Sequence, residues 1–320
     1  MTSRRQFLAG AAALAAPAFL RGASISPREL VDRTLRGEDT DRPPFSFWHH
    51  FLDKEKSGES HARVTLEFHQ KFRTDLVKVM SDYDYPKPAG AWYEAKVLDN
   101  PFPRQIQALD AIREGLAGEA YFLETIFNPY KVAENLSSPE AVRDLMHKDP
   151  QKLLDVLEVI AKSEANHAQR ASQAGAAGIF LAIANAEPQV MSEADYAKFS
   201  EPFDRMVLKA VGGLPLNTLH LHGDKVYLER FWKGWPTVAI NYSTATTGVP
   251  MSTARAKYSG VLMGGLDEVH YRTLSAADLK KQWTTAQQQV GRGFILTPGC
   301  SVPNDSTDEE LLRLPSVLGA

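Results

Sequence analysis

The sequence predicts an α/β fold, a (β/α)8 TIM barrel filling one large domain. Three observations carry this. Eight short apolar runs recur along the chain, amphipathic helical patterns separate them, and polar residues gather where the runs end. The runs are Phe45–Trp48, Leu76–Met80, Tyr121–Phe127, Gly178–Ala184, Asn217–His222, Thr237–Tyr242, Gly260–Gly264 and Phe294–Thr297. Short, continuously apolar strands suit a parallel sheet buried on both faces. Eight strand–helix repeats suggest closure into a barrel. An open doubly wound sheet is the competing reading, but no Gly-rich phosphate fingerprint follows the first run.

In chain order, the first element is a targeting segment. Arg4-Arg5-Gln6-Phe7-Leu8 opens an alanine-rich apolar stretch ending near Leu20, too short for a membrane span. It resembles a twin-arginine signal peptide, with Ala16-Pro17-Ala18 or a site near Ala23 for cleavage. Residues 1–23 are read as the signal and 24–320 as the barrel. The expected destination is periplasmic or extracellular, with the twin-arginine translocase as partner during export and no membrane insertion afterwards.

The expected helices cover Ser60–Arg73, Arg104–Leu116, Ser138–Leu145, a long segment from Asp149-Pro150 toward Gly175, Ser192–Val211, Tyr227–Lys233 and Ser275–Val290. Several open on a serine or aspartate cap, two of them with proline at the first helical position. The 36 Lys+Arg nearly balance the 39 Asp+Glu, so charge gives no case for nucleic acid as a partner. A small-molecule substrate is expected instead.

In a barrel of this kind the C-terminal strand ends form the functional mouth. Here they carry His49, His50, Ser81, Asp82, Asn128, Asn185, His220, His222, Asn241, Tyr242, Asp267 and Cys300. His220-Leu221-His222 is the sharpest signal, because side chains two apart on a strand share a face. With Cys300, the only cysteine, they make a zinc-type donor set that leaves a fourth position for water, substrate or a carboxylate. The competing reading is two hydrogen-bonded histidines and an inert thiol. Asp82 is a candidate acid, base or ligand, or else a loop aspartate. Of His49 and His50, one is expected to face the mouth as a catalytic group, since alternation sends them opposite ways. Trp48, Asn128, Asn185 and Tyr242 are candidate substrate contacts.

Taken in order, these motifs resemble the uroporphyrinogen decarboxylase superfamily, which includes cobalamin-linked thiol methyltransferases. Asp75 through Asp82 is similar to the decarboxylase's second strand. Gln173 through Phe180 is similar to its fourth-strand entry, and Tyr196 through Pro202 to the following helix. Gly264-Gly265-Leu266-Asp267 and Gly293 through Pro303 are similar to its last two strand–loop units. The resemblance implies a barrel and puts the decarboxylase's catalytic aspartate on Asp82. Where that enzyme has carboxylate-clamping arginines this chain has His49-His50-Phe51-Leu52, and Gly299-Cys300-Ser301 replaces its last-loop Gly-His-Gly. A polyanionic tetrapyrrole needs cationic partners, so these departures point away from porphyrin chemistry.

The methyltransferase branch implies zinc on His-x-Cys and on the last-loop cysteine, which fall on His220, His222 and Cys300. Histidine in place of one cysteine leaves zinc a stronger Lewis acid. The resemblance therefore implies zinc-dependent methyl transfer to a thiol first, with metal-assisted hydrolysis or lyase chemistry close behind. Decarboxylation of a tetrapyrrole through Asp82 is the alternative, and an exported non-catalytic binding protein the third reading. No cobalamin-binding signature occurs, so any corrinoid would arrive on a partner or free.

Overall fold

A computed structural model describes residues 25–51, 57–81 and 83–320. The signal segment and Asp82 therefore lie outside the described residues. The core is a seven-stranded, all-parallel sheet in sequential order: β1 (Leu76–Val79), β2 (Tyr121–Phe127), β3 (Gly178–Ile183), β4 (Thr218–Leu221), β5 (Ala239–Tyr242), β6 (Val261–Leu266) and β7 (Phe294–Pro298). Each strand is followed by helix or helical turn, as parallel neighbours require.

Seven of the eight expected strands form. The first, Phe45–Trp48, is reduced to a single parallel bridge between Phe45 and Leu296 of β7. Pro43 and Pro44 precede it, and proline has no N–H to extend a ladder. The segment still lies between the two outer strands. Leu296 N donates to Pro44 O and Ser46 N to Leu296 O on one side, while Asp75 N donates to Phe45 O on the other. Arg42 clamps Asp75 through two bonds of 2.5 and 2.9 Å, and Asp75 in turn accepts from Phe45 N.

Among the described residues the helices are α1 (Pro27–Leu35), α2 (Gly58–Phe72), α3 (Pro103–Leu116), α4 (Pro129–Leu136), α5 (Pro139–Lys148), α6 (Pro150–Gln173), α7 (Glu193–Phe199), α8 (Glu201–Lys209), α9 (Thr244–Thr247), α10 (Met251–Lys257), α11 (Ala276–Val290) and α12 (Asp308–Leu318). Two expectations are corrected. Tyr227–Lys233 is only a 3-10 turn at Leu228–Arg230. Gly234 follows with φ 74°, and the Trp235 indole takes the Arg230 carbonyl. Ser192–Val211 breaks at Ser200, where Pro202 starts a new helix and the Ser200 hydroxyl joins buried side chains.

Alternation along the strands divides the core in two. Trp48, Leu76, Leu123, Phe180, Ala239, Val261, Met263 and Ile295 pack together on one face, with Val31 of α1 among them. Leu219, Leu221, Ile240, Tyr242, Leu262 and Leu296 face the helices. The first face carries His220 and Asn241 at its upper edge.

Candidate metal centre

The ladder register sets His220 beside Asn241, so their side chains leave the same face. The His222 N–H donates to Ile183 O at 2.9 Å, keeping the chain extended past β4 and returning His222 to the His220 side. The two imidazole centroids are 6.0 Å apart. Gly223, at φ 134°, turns the chain away at once; a side chain there would sit 2.4 Å from Glu187 Oε2. Cys300 arrives from the end of β7. Gly299 allows this, because a Cβ there would fall 2.1 Å from Ser243 Cα at the end of β5.

One nitrogen or sulfur from each of His220, His222 and Cys300 lies within 4.8 Å of the others. Cys300 Sγ is 3.4 Å from His222 Nδ1. His220 is buried, Cys300 half-buried and His222 exposed, so the group runs from the interior out to solvent. Burial alone would raise the Cys300 thiol, but hydrogen bonds and charge from His220 and His222 hold it down to about 4. The bond with Cys300 raises His222 above the usual imidazole value; burial opposes this, while charge on Cys300 and Glu187 adds to it.

Asn241 sets the orientation of His220. Trp48 Nε1, which can only donate, points at Asn241 Oδ1 from 3.3 Å. Asn241 Nδ2 lies within 3.1–3.2 Å of three acceptors, Met263 O, Pro298 O and Thr297 Oγ1. The amide therefore has its oxygen toward His220, whose Nδ1 lies 2.7 Å from it and must carry the proton. Nε2, on the Cys300 side, is thereby the nitrogen that presents its lone pair when the ring is neutral, the form a metal requires. Phe180 stacks on the ring at 5.0 Å and fixes its plane. The donor set thus fits a zinc ion: two imidazoles, one held in the right tautomer, and a thiol that ionises readily.

The remaining expected residues scatter. Trp48 is buried and acts through Asn241. Tyr242 lies on the helix side of the sheet, its hydroxyl on Val249 O at 3.3 Å, so the inward member of that pair is Asn241. Asn128 and Asn185 are buried and bonded to each other at 2.7 Å, within a cluster containing Ser200, Asp204 and Tyr196. His49 packs against Phe51 and Phe68, toward α2, and His50 is half-buried. One buried residue went unnoticed in the sequence. Glu268 accepts from Gly299 N at 3.0 Å, which places a carboxyl, raised by burial, beside Cys300. Its position directly after Asp267 at a strand end was the available signal.

The family described as uroporphyrinogen decarboxylase (URO-D) matches residues 91–316. No curated protein matches the sequence. Among solved structures, a methyltransferase from Methanosarcina mazei is similar with a TM-score of 0.78 at 16% identity, over 92% of this chain and 99% of that one. A B12-independent methionine synthase from a Shewanella species, in complex with selenomethionine, is similar with a TM-score of 0.58 at 11% identity, over 82% of this chain and 86% of that one. At these identities the likeness concerns the fold.

Proposed function

The chain belongs to the uroporphyrinogen decarboxylase family, and from that premise we propose that it is a zinc-dependent enzyme that transfers a methyl group to a thiol. The observation that carries this reading is the convergence of His220, His222 and Cys300 within 4.8 Å at the strand ends. His220 Nε2, a His222 nitrogen and Cys300 Sγ would hold the metal. Bound there, zinc supplies Lewis acidity that lowers the pKa of a coordinated thiol or water.

The chain's own residues do the rest. Asn241 and Trp48 keep the His220 proton on Nδ1, so no tautomer change is needed on binding. Glu268, beside Cys300, is placed to take the proton that a substrate thiol gives up. The exposed side at His222 admits substrate, and buried Phe180 and Trp48 exclude water behind His220. The methyl donor would be a corrinoid supplied free or by another protein. The accompanying fold reading is a full (β/α)8 barrel, with the Phe45 segment as its eighth stave. We also propose export by the twin-arginine route, which an Arg4→Lys, Arg5→Lys double variant should block.

Elemental analysis of the folded protein tests the central claim. Near-stoichiometric zinc, absent from His222→Ala and Cys300→Ala variants that remain folded, is expected, together with zinc-dependent thiol methylation. A metal-free protein after folding with excess zinc under reducing conditions would sink it.

A further inference from the structure

A cavity of about 500 Å³ opens beside the ends of β1 and β2 and shares no residue with the His220–His222–Cys300 group. Glu164 makes its base acidic, and behind the lining His167 lies Glu124, in the middle of β2, fully buried and facing the helices. Gln105 Nε2 donates to one of its oxygens at 2.7 Å, and His167 Nε2 meets the other at 2.8 Å. Glu164 lies three residues before His167 on α6, hence on the same face, and lines the cavity with it.

Glu164 is almost completely buried, and among the described residues its Oε2 has no hydrogen-bond partner and neither does His167 Nδ1. Burial and the neighbouring Glu124 charge push the Glu164 carboxyl well above its ordinary range. A buried carboxyl left in that state is costly unless something completes it. The walls are aromatic: Phe102 meets Tyr85 edge-on at 5.9 Å and His167 at 5.0 Å. Of the described residues lining the cavity, only Lys87, exposed at the rim, carries a fixed positive charge.

We propose that this cavity binds a small molecule with a primary ammonium group on an apolar body, the ammonium meeting Glu164 and the body lying against Tyr85 and Phe102. An ammonium supplies the donor that Glu164 Oε2 lacks and the charge the acidic base lacks, and aromatic faces tolerate a cation. A neutral ligand of the same shape would supply only the apolar contact.

Titration calorimetry on the full chain with phenethylamine and with phenethyl alcohol separates these terms, because the two differ only in the head group. The amine is expected to bind about tenfold more tightly or better. E164Q keeps the side-chain shape and should erase that preference while leaving zinc content unchanged. Asn135→Trp, at an exposed lining position where folding is not at risk, should weaken both ligands by narrowing the entrance. Equal affinity for amine and alcohol, no amine binding, or an amine preference that survives E164Q would overturn the proposal.

Discussion

Two buried amide hubs sit at the strand ends, and they lead to different places. Asn128 reaches Asn185, Ser200 and Asp204, and Asp204 accepts from Tyr196; every member is a buried side chain. Asn241 has more partners, and one of them is His220, whose other nitrogen looks toward Cys300 and solvent. The first network ends inside the protein and ties the break between α7 and α8 to the sheet. The second ends on a donor atom that can still take a ligand. An asparagine at a strand end therefore says little alone; what matters is whether its bonds terminate on a group with capacity left over.

Breaking the open end should have the largest effect. His222→Ala or Cys300→Ala should abolish zinc retention through gel filtration, with the unfolding midpoint of the metal-free protein unchanged. Asp204→Asn tests the closed hub. Burial, only partly offset by bonds from Tyr196, Asn128 and Ser200, raises Asp204 to about 7. The folded chain thus keeps a proton that the unfolded chain has released between about pH 4 and pH 7, and stability contributed by this group falls as pH rises through that window. Asn mimics the protonated acid, so the variant should lose this slope, worth at most about 4 kcal/mol, in urea melts at pH 4 and pH 8. Zinc content should not change.

Asn241→Leu should weaken zinc roughly 10–100-fold in chelator competition, as removal of a group that orients a ligand usually does. Trp48→Phe should cost less, about a few-fold, because only the donor that sets the amide is lost. If Asn241→Leu left zinc affinity intact but lowered stability as Asn128→Leu does, the two hubs would be equivalent and the comparison would fail.

Much of this was legible in the sequence, and the gaps have physical causes. His220-Leu221-His222 could be read from strand periodicity alone, and Cys300 from its place after the last strand. Seven strands could be read as apolar runs, while the prolines before Phe45 that curtail the eighth carry no hydrophobic signal. The choice of Asn241 over Tyr242 depends on which residue faces inward, and a shift of one residue inverts that. Glu124 and Glu164 were missed because strand and helix patterns treat a lone charge as solvent-facing, whereas here β2 and α6 turn both toward each other.

The bond between Trp48 and Asn241 joins residues 193 positions apart, and Cys300 lies 78 beyond His222. His222 stands at the end of β4 and Cys300 follows β7, so these donors meet only when the strands between them have paired in order. If zinc binds there as proposed, its retention would report that this half of the sheet has assembled, and the Trp48–Asn241 bond would extend that report to the first segment.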